Sequence, residues 1–182
     1  MTIPTNIAGN STMAEVLAAY PGAQRAIFRK YHIGGCSSCG FQQEEMLEQV
    51  CDRNNHLLVS EVLAHIQSSH EQDKQILIEA KDLAALLQRQ PGVKLLDIRS
   101  REEFEAARIE GAIFFTQELM HEAMGRWPKD ELFILVDHQG KKALDAAAYF
   151  LGHGLTHVRA LRGGLDAWSQ EVDDKIPRYR LA

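Results

Sequence analysis

The run Leu132-Phe133-Ile134-Leu135-Val136 constrains this chain more than any other feature. Five apolar residues, aromatic and β-branched among them, stand in a row with no polar alternation. A strand with one wet face would alternate, so this one needs cover on both faces. Its neighbours supply the cover. From Ile76 onward, strand-like runs at 76–78, 93–97, 113–114, 132–136 and 157–159 alternate with helical patterns at 81–90, 101–107, 117–126, 141–151 and 164–170. That order implies right-handed crossovers and a central, mostly parallel five-stranded α/β sheet. Functional groups in such sheets gather at the carboxyl ends of the strands. The apolar run ends at Asp137.

The residues before this region follow a different period. Thr12-Met13-Ala14-Glu15 has the form of a capping box, opening a short helix with Met13, Val16 and Leu17 on one face. Pro21-Gly22 breaks it. A second helix is predicted over 23–30 with Ile27 and Phe28 inward. Helical spacing resumes at Glu44 with Met46, Leu47 and Val50, and a last helix fits 59–67 with Val62, Leu63 and Ile66 as its stripe. The polar stretch 68–75 lacks apolar periodicity. The expected organisation is a small all-α unit over 1–70, a linker at 71–75 and the α/β unit over 76–182.

Charge and cysteine usage narrow the function classes. The net charge of −5 gives no reason to expect nucleic acid or a membrane surface as partner. No apolar run approaches the roughly 20 residues of a spanning helix, and the first residues resemble no secretory signal. A cytoplasmic protein is expected. The three cysteines, Cys36, Cys39 and Cys51, all lie in the leading unit, an odd set that does not fit a secreted disulfide framework.

Four motifs of the second unit, in order and on the right elements, resemble the rhodanese family. They are Asp97-Ile98-Arg99, Glu102-Glu103-Phe104, Arg108-Ile109-Glu110-Gly111-Ala112 and Gly163-Gly164-Leu165-Asp166-Ala167-Trp168. Arg108 stands where the family has His. Read physically, Asp97 at a strand end accepts backbone N–H bonds, Arg99 pairs with a carboxylate, and Gly163-Gly164 permits positive φ ahead of the last helix. Trp168 falls on that helix's inward face with Leu165.

The resemblance places one loop at the centre, Asp137-His138-Gln139-Gly140-Lys141-Lys142. A strand–loop–helix passage of this kind aims backbone N–H groups at one spot. In active relatives the loop opens with a cysteine that carries a persulfide, followed by Arg, and later by Gly and Arg. Here Asp137 and His138 take the first two places, while Gly140 and a cation at Lys142 remain. Sulfane-sulfur transfer needs a nucleophilic sulfur, so thiosulfate sulfurtransfer is not expected at Asp137. The carboxylate is expected to occupy the anion cradle itself. Action of Asp137 as nucleophile or base on another substrate, and partner binding by the loop, stay open.

The segment His32-Ile33-Gly34-Gly35-Cys36-Ser37-Ser38-Cys39-Gly40-Phe41 is the other place for chemistry. Cys36 and Cys39 at CxxC spacing suit a disulfide, a shared metal or a persulfide. A helix beginning near Gln43 or Glu44 would lower a thiolate pKa through its dipole. Cys51 reads as inward core or as a third sulfur, and His32 and His56 as further ligands, for zinc or an iron–sulfur cluster or for no bound group at all. Together with Thr12–Glu15 and Tyr20-Pro21-Gly22, this loop resembles a small helical family of unknown function, of the hybrid-cluster-associated type. That resemblance implies thiol redox or cluster-related work. The expectation is therefore a rhodanese-like protein inactive at Asp137, working with a protein partner in sulfur, redox or iron–sulfur handling. The alternative is a sulfurtransferase or disulfide oxidoreductase using Cys36 and Cys39.

Overall fold

The computed structural model describes residues 6–34 and 40–179, which divide into two compact units, 1–74 and 75–182. In the leading unit, α1 (Met13–Ala19), α2 (Ala23–Tyr31), α3 (Leu47–Arg53) and α4 (Val59–Ile76) surround a core of Met13, Val16, Ile27, Leu47, Val50, Cys51, Val62 and Ile66. The capping box at Thr12 forms. Its hydroxyl accepts from Glu15 N at 3.3 Å, and the Glu15 carboxylate accepts from Thr12 N at 2.8 Å. Each satisfies a helix-end donor that lacks an intrahelical partner.

Three expectations for this unit need correction. Phe28, inward by helical spacing, is 45% exposed. The core side of α2 is taken by Ala23, Ala26 and Ile27. The third helix starts at Leu47, not near Glu44. Met46 is extended and forms an isolated antiparallel bridge with Thr12, and Gln42 N donates to the Glu45 carboxylate at 2.7 Å, which holds this approach as a turn. The polar stretch expected as a linker is helical. The fourth helix continues to Ile76. Glu, Gln and Lys are good helix formers, and lack of apolar periodicity reports exposure rather than the absence of a helix.

The second unit is the α/β sheet, with all strand pairs parallel. Strands β1 (Leu77–Ile78), β2 (Lys94–Asp97), β3 (Ile113–Phe114), β4 (Phe133–Val136) and β5 (Val158–Leu161) lie in the order β1-β5-β4-β2-β3. β4 is central, pairing Leu135 with Leu96 on one side and Ala160 on the other. All four of its residues are buried. Phe133 and Leu135 pack on one face with Ala143, Leu144, Ala147 and Phe150 of α8 (Lys141–Gly152). Ile134 and Val136 pack on the other with Leu83 of α5 (Ala80–Arg89) and Leu165 and Trp168 of α9 (Gly164–Glu171). This alternation is the strand's two-residue period, and it explains the unbroken apolar run. Each such side chain contributes roughly 1.5–3 kcal/mol by leaving water. The remaining helices are α6 (Arg101–Ala106) and α7 (Gln117–Gly125). Among the described residues no helix is long and apolar enough to cross a membrane.

Candidate functional site

The site grows from the end of β4. The chain leaves the sheet at Asp137 and enters α8 through Gly140, whose φ of 82° is left-handed. A side chain there would meet Gly163 N at 2.7 Å and Leu161 O at 2.8 Å. The loop is held from the other side by the start of α9. Leu165 N donates to Asp137 O at 2.9 Å and Asp166 N to His138 O at 3.1 Å. Gly163 and Gly164 have φ of 68° and 60°, the positive φ that glycine permits. Gly164 does more than relax the backbone. A Cβ on it would lie 2.6 Å from the His138 carbonyl carbon and 2.7 Å from Gln139 N.

Inside this backbone cup lies the side chain of Asp137. Its Oδ2 accepts from Lys142 N at 2.9 Å, and its Oδ1 accepts from Gly140 N. The residue is 4% exposed. Burial pushes its carboxyl above the ordinary aspartate range, while N–H bonds from Lys142, Gly140, Ala143 and its own backbone pull the other way. The side chains of Gln139, Lys141 and Lys142 are exposed, so Lys142 serves the cradle through its backbone.

A second group of side chains adjoins the loop. Arg99 grips Asp97 through Nη2 to Oδ2 at 2.6 Å and Nε to Oδ1 at 2.9 Å, both residues buried. Burial alone lowers the Arg99 pKa, but the bonds to Asp97 and Tyr179 more than reverse this. Arg99 Nη1 donates to the Tyr179 hydroxyl at 2.8 Å, which donates to Glu103 at 2.6 Å. The Tyr179 ring stacks on His138 with centroids 4.3 Å apart. His138 is 6% exposed, and its Nδ1 lacks a hydrogen-bond partner among the described residues. Sequence reasoning missed Tyr179. It lies 80 residues from Arg99, on a tail folded back by Arg178 to Asp166 at 2.7 Å and Ser169 to Ile176 O at 2.5 Å. No local pattern announces such a return.

The other sequence-selected residues are distributed as follows. Cys36 and Cys39 lie outside the described residues. Cys51 is a free thiol at 2% exposure in the leading unit's core, and burial raises its pKa. That is the opposite of an activated thiolate. His32 ends α2 in a left-handed conformation, and His56 sits exposed with Nδ1 2.5 Å from Asp52. Among the described residues no three His, Cys, Asp or Glu side chains converge to hold a metal ion.

Comparison with known proteins agrees with this architecture. Over 115 residues the chain is 30% identical to the adenylyltransferase and sulfurtransferase UBA4 of Candida albicans, an overlap of 59% of this chain and 26% of that protein's length. It is 24% identical over 87 residues to the thiosulfate sulfurtransferase GlpE of Pseudomonas savastanoi pv. phaseolicola, covering 48% of this chain and 82% of GlpE. The crystal structure of reduced Bacillus anthracis CoADR-RHD shares the fold, with a TM-score of 0.50 at 17% identity over 65% of this chain and 20% of that one. Residues 79–171, which contain Asp97, Arg99, the Asp137 loop and the start of α9, match the family described as Rhodanese-like domain, and the chain belongs to that family.

Proposed function

We propose that this is a rhodanese-like protein whose Asp137 loop carries no sulfane sulfur. In this reading it acts in the cytoplasm in sulfur, redox or iron–sulfur handling by binding a protein partner. One observation carries the reading. The Asp137 carboxylate lies across the N–H groups of Gly140 and Lys142, where an anion would otherwise sit. A persulfide requires sulfur, and a carboxylate offers none. The full chain should therefore show no thiosulfate–cyanide sulfurtransferase turnover. Turnover that disappears in Asp137→Ala would overturn the proposal. Asp137→Cys puts a thiol in the same cup, where N–H bonds pull its pKa down against the burial that raises the Asp137 carboxyl; a pKa below that of free cysteine would show that the N–H groups favour a thiolate there, and one at or above it that burial prevails.

A second reading places thiol redox or sulfur transfer at Cys36 and Cys39. Their CxxC spacing favours it, as does the burial of Cys51, which leaves Cys51 as packing. Treatment with a persulfide donor followed by mass spectrometry should reveal a labile sulfur adduct on that pair. An unreactive pair would end this reading.

A further inference from the structure

The leading unit contains a cleft of about 260 Å³ between α2 and α4, whose lining includes Arg25, Arg29, Lys30, His65, Ser69 and Asp73. Helical spacing places the three cations of α2 on neighbouring positions of one flank. Opposite them, α4 contributes a single carboxylate. Asp73, 6% exposed, meets Arg25 Nη2 at 2.5 Å, which fixes that guanidinium as part of the wall. Asp73 also approaches Gly22, where a Cβ would fall on its Oδ2, so its charge lies beside the amino end of α2. His65 Nε2–H donates to Ala26 O at 3.0 Å and fixes a second part of the wall. Lys30 lies 5.1 Å from the Tyr31 ring centroid. Arg29 and Lys30 are exposed, and among the described residues neither forms an ion pair with a carboxylate.

The charge balance is therefore local and unusual. The whole chain is acidic, at −5, yet this concave space holds three cations to one anion. Like charges gathered in a cleft raise the potential there and draw counter-ions. Proximity to the carboxyl end of α2 accounts for Arg29 and Lys30 singly, but not for a cleft between them and α4. Its volume lies below the roughly 300–1,000 Å³ of pockets that enclose drug-sized ligands, and a small, compact anion fits within it.

We propose that this cleft binds a small tetrahedral dianion of the sulfate and phosphate class, with Arg29 and Lys30 as its charge partners beside the fixed Arg25. Isothermal titration of the full chain with inorganic phosphate and with sodium sulfate, at low ionic strength against matched chloride, should give one saturable site that weakens as salt rises. The thermal midpoint should rise with phosphate concentration in parallel. Combining Arg29→Gln with Lys30→Gln, both at exposed positions, should weaken binding by at least about tenfold, with no more than the small loss of anion-free midpoint expected when two cations leave the carboxyl end of α2. Asp137→Asn should bind as wild type does. Phenyl phosphate in place of inorganic phosphate separates a free ion from a phosphoryl group on a larger molecule, and saturable binding of either supports the site. Neither saturable heat nor a midpoint shift, unchanged affinity in the double variant, or loss of binding in Asp137→Asn would overturn the assignment.

Discussion

Asp137 and Asp73 are both buried carboxylates placed beside a glycine at the amino end of a helix, and the chain satisfies them by different means. Asp137 receives backbone N–H bonds from its own loop and α8. Asp73 receives the guanidinium of Arg25 from a helix 48 residues away in sequence. The first arrangement is made of backbone, so its geometry follows from the fold. The second is made of side chains, so it can shift. The same contrast divides the surroundings. Around Asp137 the donors and the carboxylate are matched, whereas around Asp73 the cations outnumber it.

The largest expected effect breaks the backbone-built side. Gly164→Ala must place a Cβ against Asp137 O and the His138 carbonyl carbon at a φ of 60°. Left-handed strain of about 1–2 kcal/mol and overpacking of about 1–3 kcal/mol should together lower stability by roughly 3 kcal/mol in urea unfolding. Gly22→Ala is the matching change on the other side. Its φ of −85° suits alanine, and the obstacle is a side-chain carboxylate. A loss of about 1 kcal/mol is expected as Asp73 turns aside. Equal losses at the two glycines would refute the distinction between backbone and side-chain construction.

Next in size is the ion pair itself. Arg25→Ala takes the guanidinium away from a carboxylate whose side chain is 8% exposed. Breaking a well-buried pair typically destabilises by about 3–5 kcal/mol. Arg25 keeps 16% of its side chain in water, so about 2 kcal/mol is expected here. Adding Asp73→Leu should restore part of the loss, because the buried charge that lost its guanidinium is then gone. If the double variant is as unstable as the sum of the single ones, the Arg25 contact is not what holds Asp73.

The contrast also explains how much of the molecule is legible in its sequence. Leu132–Val136 declared a strand covered on both faces, and Gly163-Gly164 a left-handed entry into a helix, because each is a local consequence of residue type. Asp97 and Arg99 pair two residues apart, within reach of any reading of that strand end. The Asp137 cradle was legible for the same reason, since its donors lie within five residues of the acceptor. What depended on distant chain was not. Tyr179 reaches Arg99 and His138 only after the tail folds back, and the basic cleft exists only once α4 lies against α2. Arg25, Arg29 and Lys30 look like an ordinary solvated helix face until Asp73 pins one of them. The full length of α4 does not show in the sequence because its polar end buries little, and apolar spacing senses burial rather than backbone state.

The smallest effect tests whether Asp137 is held as a partly uncompensated charge. Its carboxyl is pushed upward because burial outweighs the N–H bonds. The native state therefore binds more proton than the unfolded chain between the ordinary aspartate range and the raised value. Stability falls with pH where the native state holds the extra proton. The contribution of Asp137 is present below that window and is lost as pH rises through the folded value. Glu45 and Asp166 have lowered carboxyls, held down chiefly by hydrogen bonds from Arg53 and Arg178, and act in the opposite direction. They are common to wild type and Asp137→Asn and cancel in the difference between the two. Urea midpoints measured for both proteins from acid to neutral pH should show the wild type losing ground relative to Asp137→Asn as pH rises. Parallel curves would mean that the N–H bonds fully balance burial. A wild type gaining ground would mean that the cradle favours the charge outright, which would make it a stronger anion site than its filled state suggests and would place Asp137 nearer to Asp73 in kind.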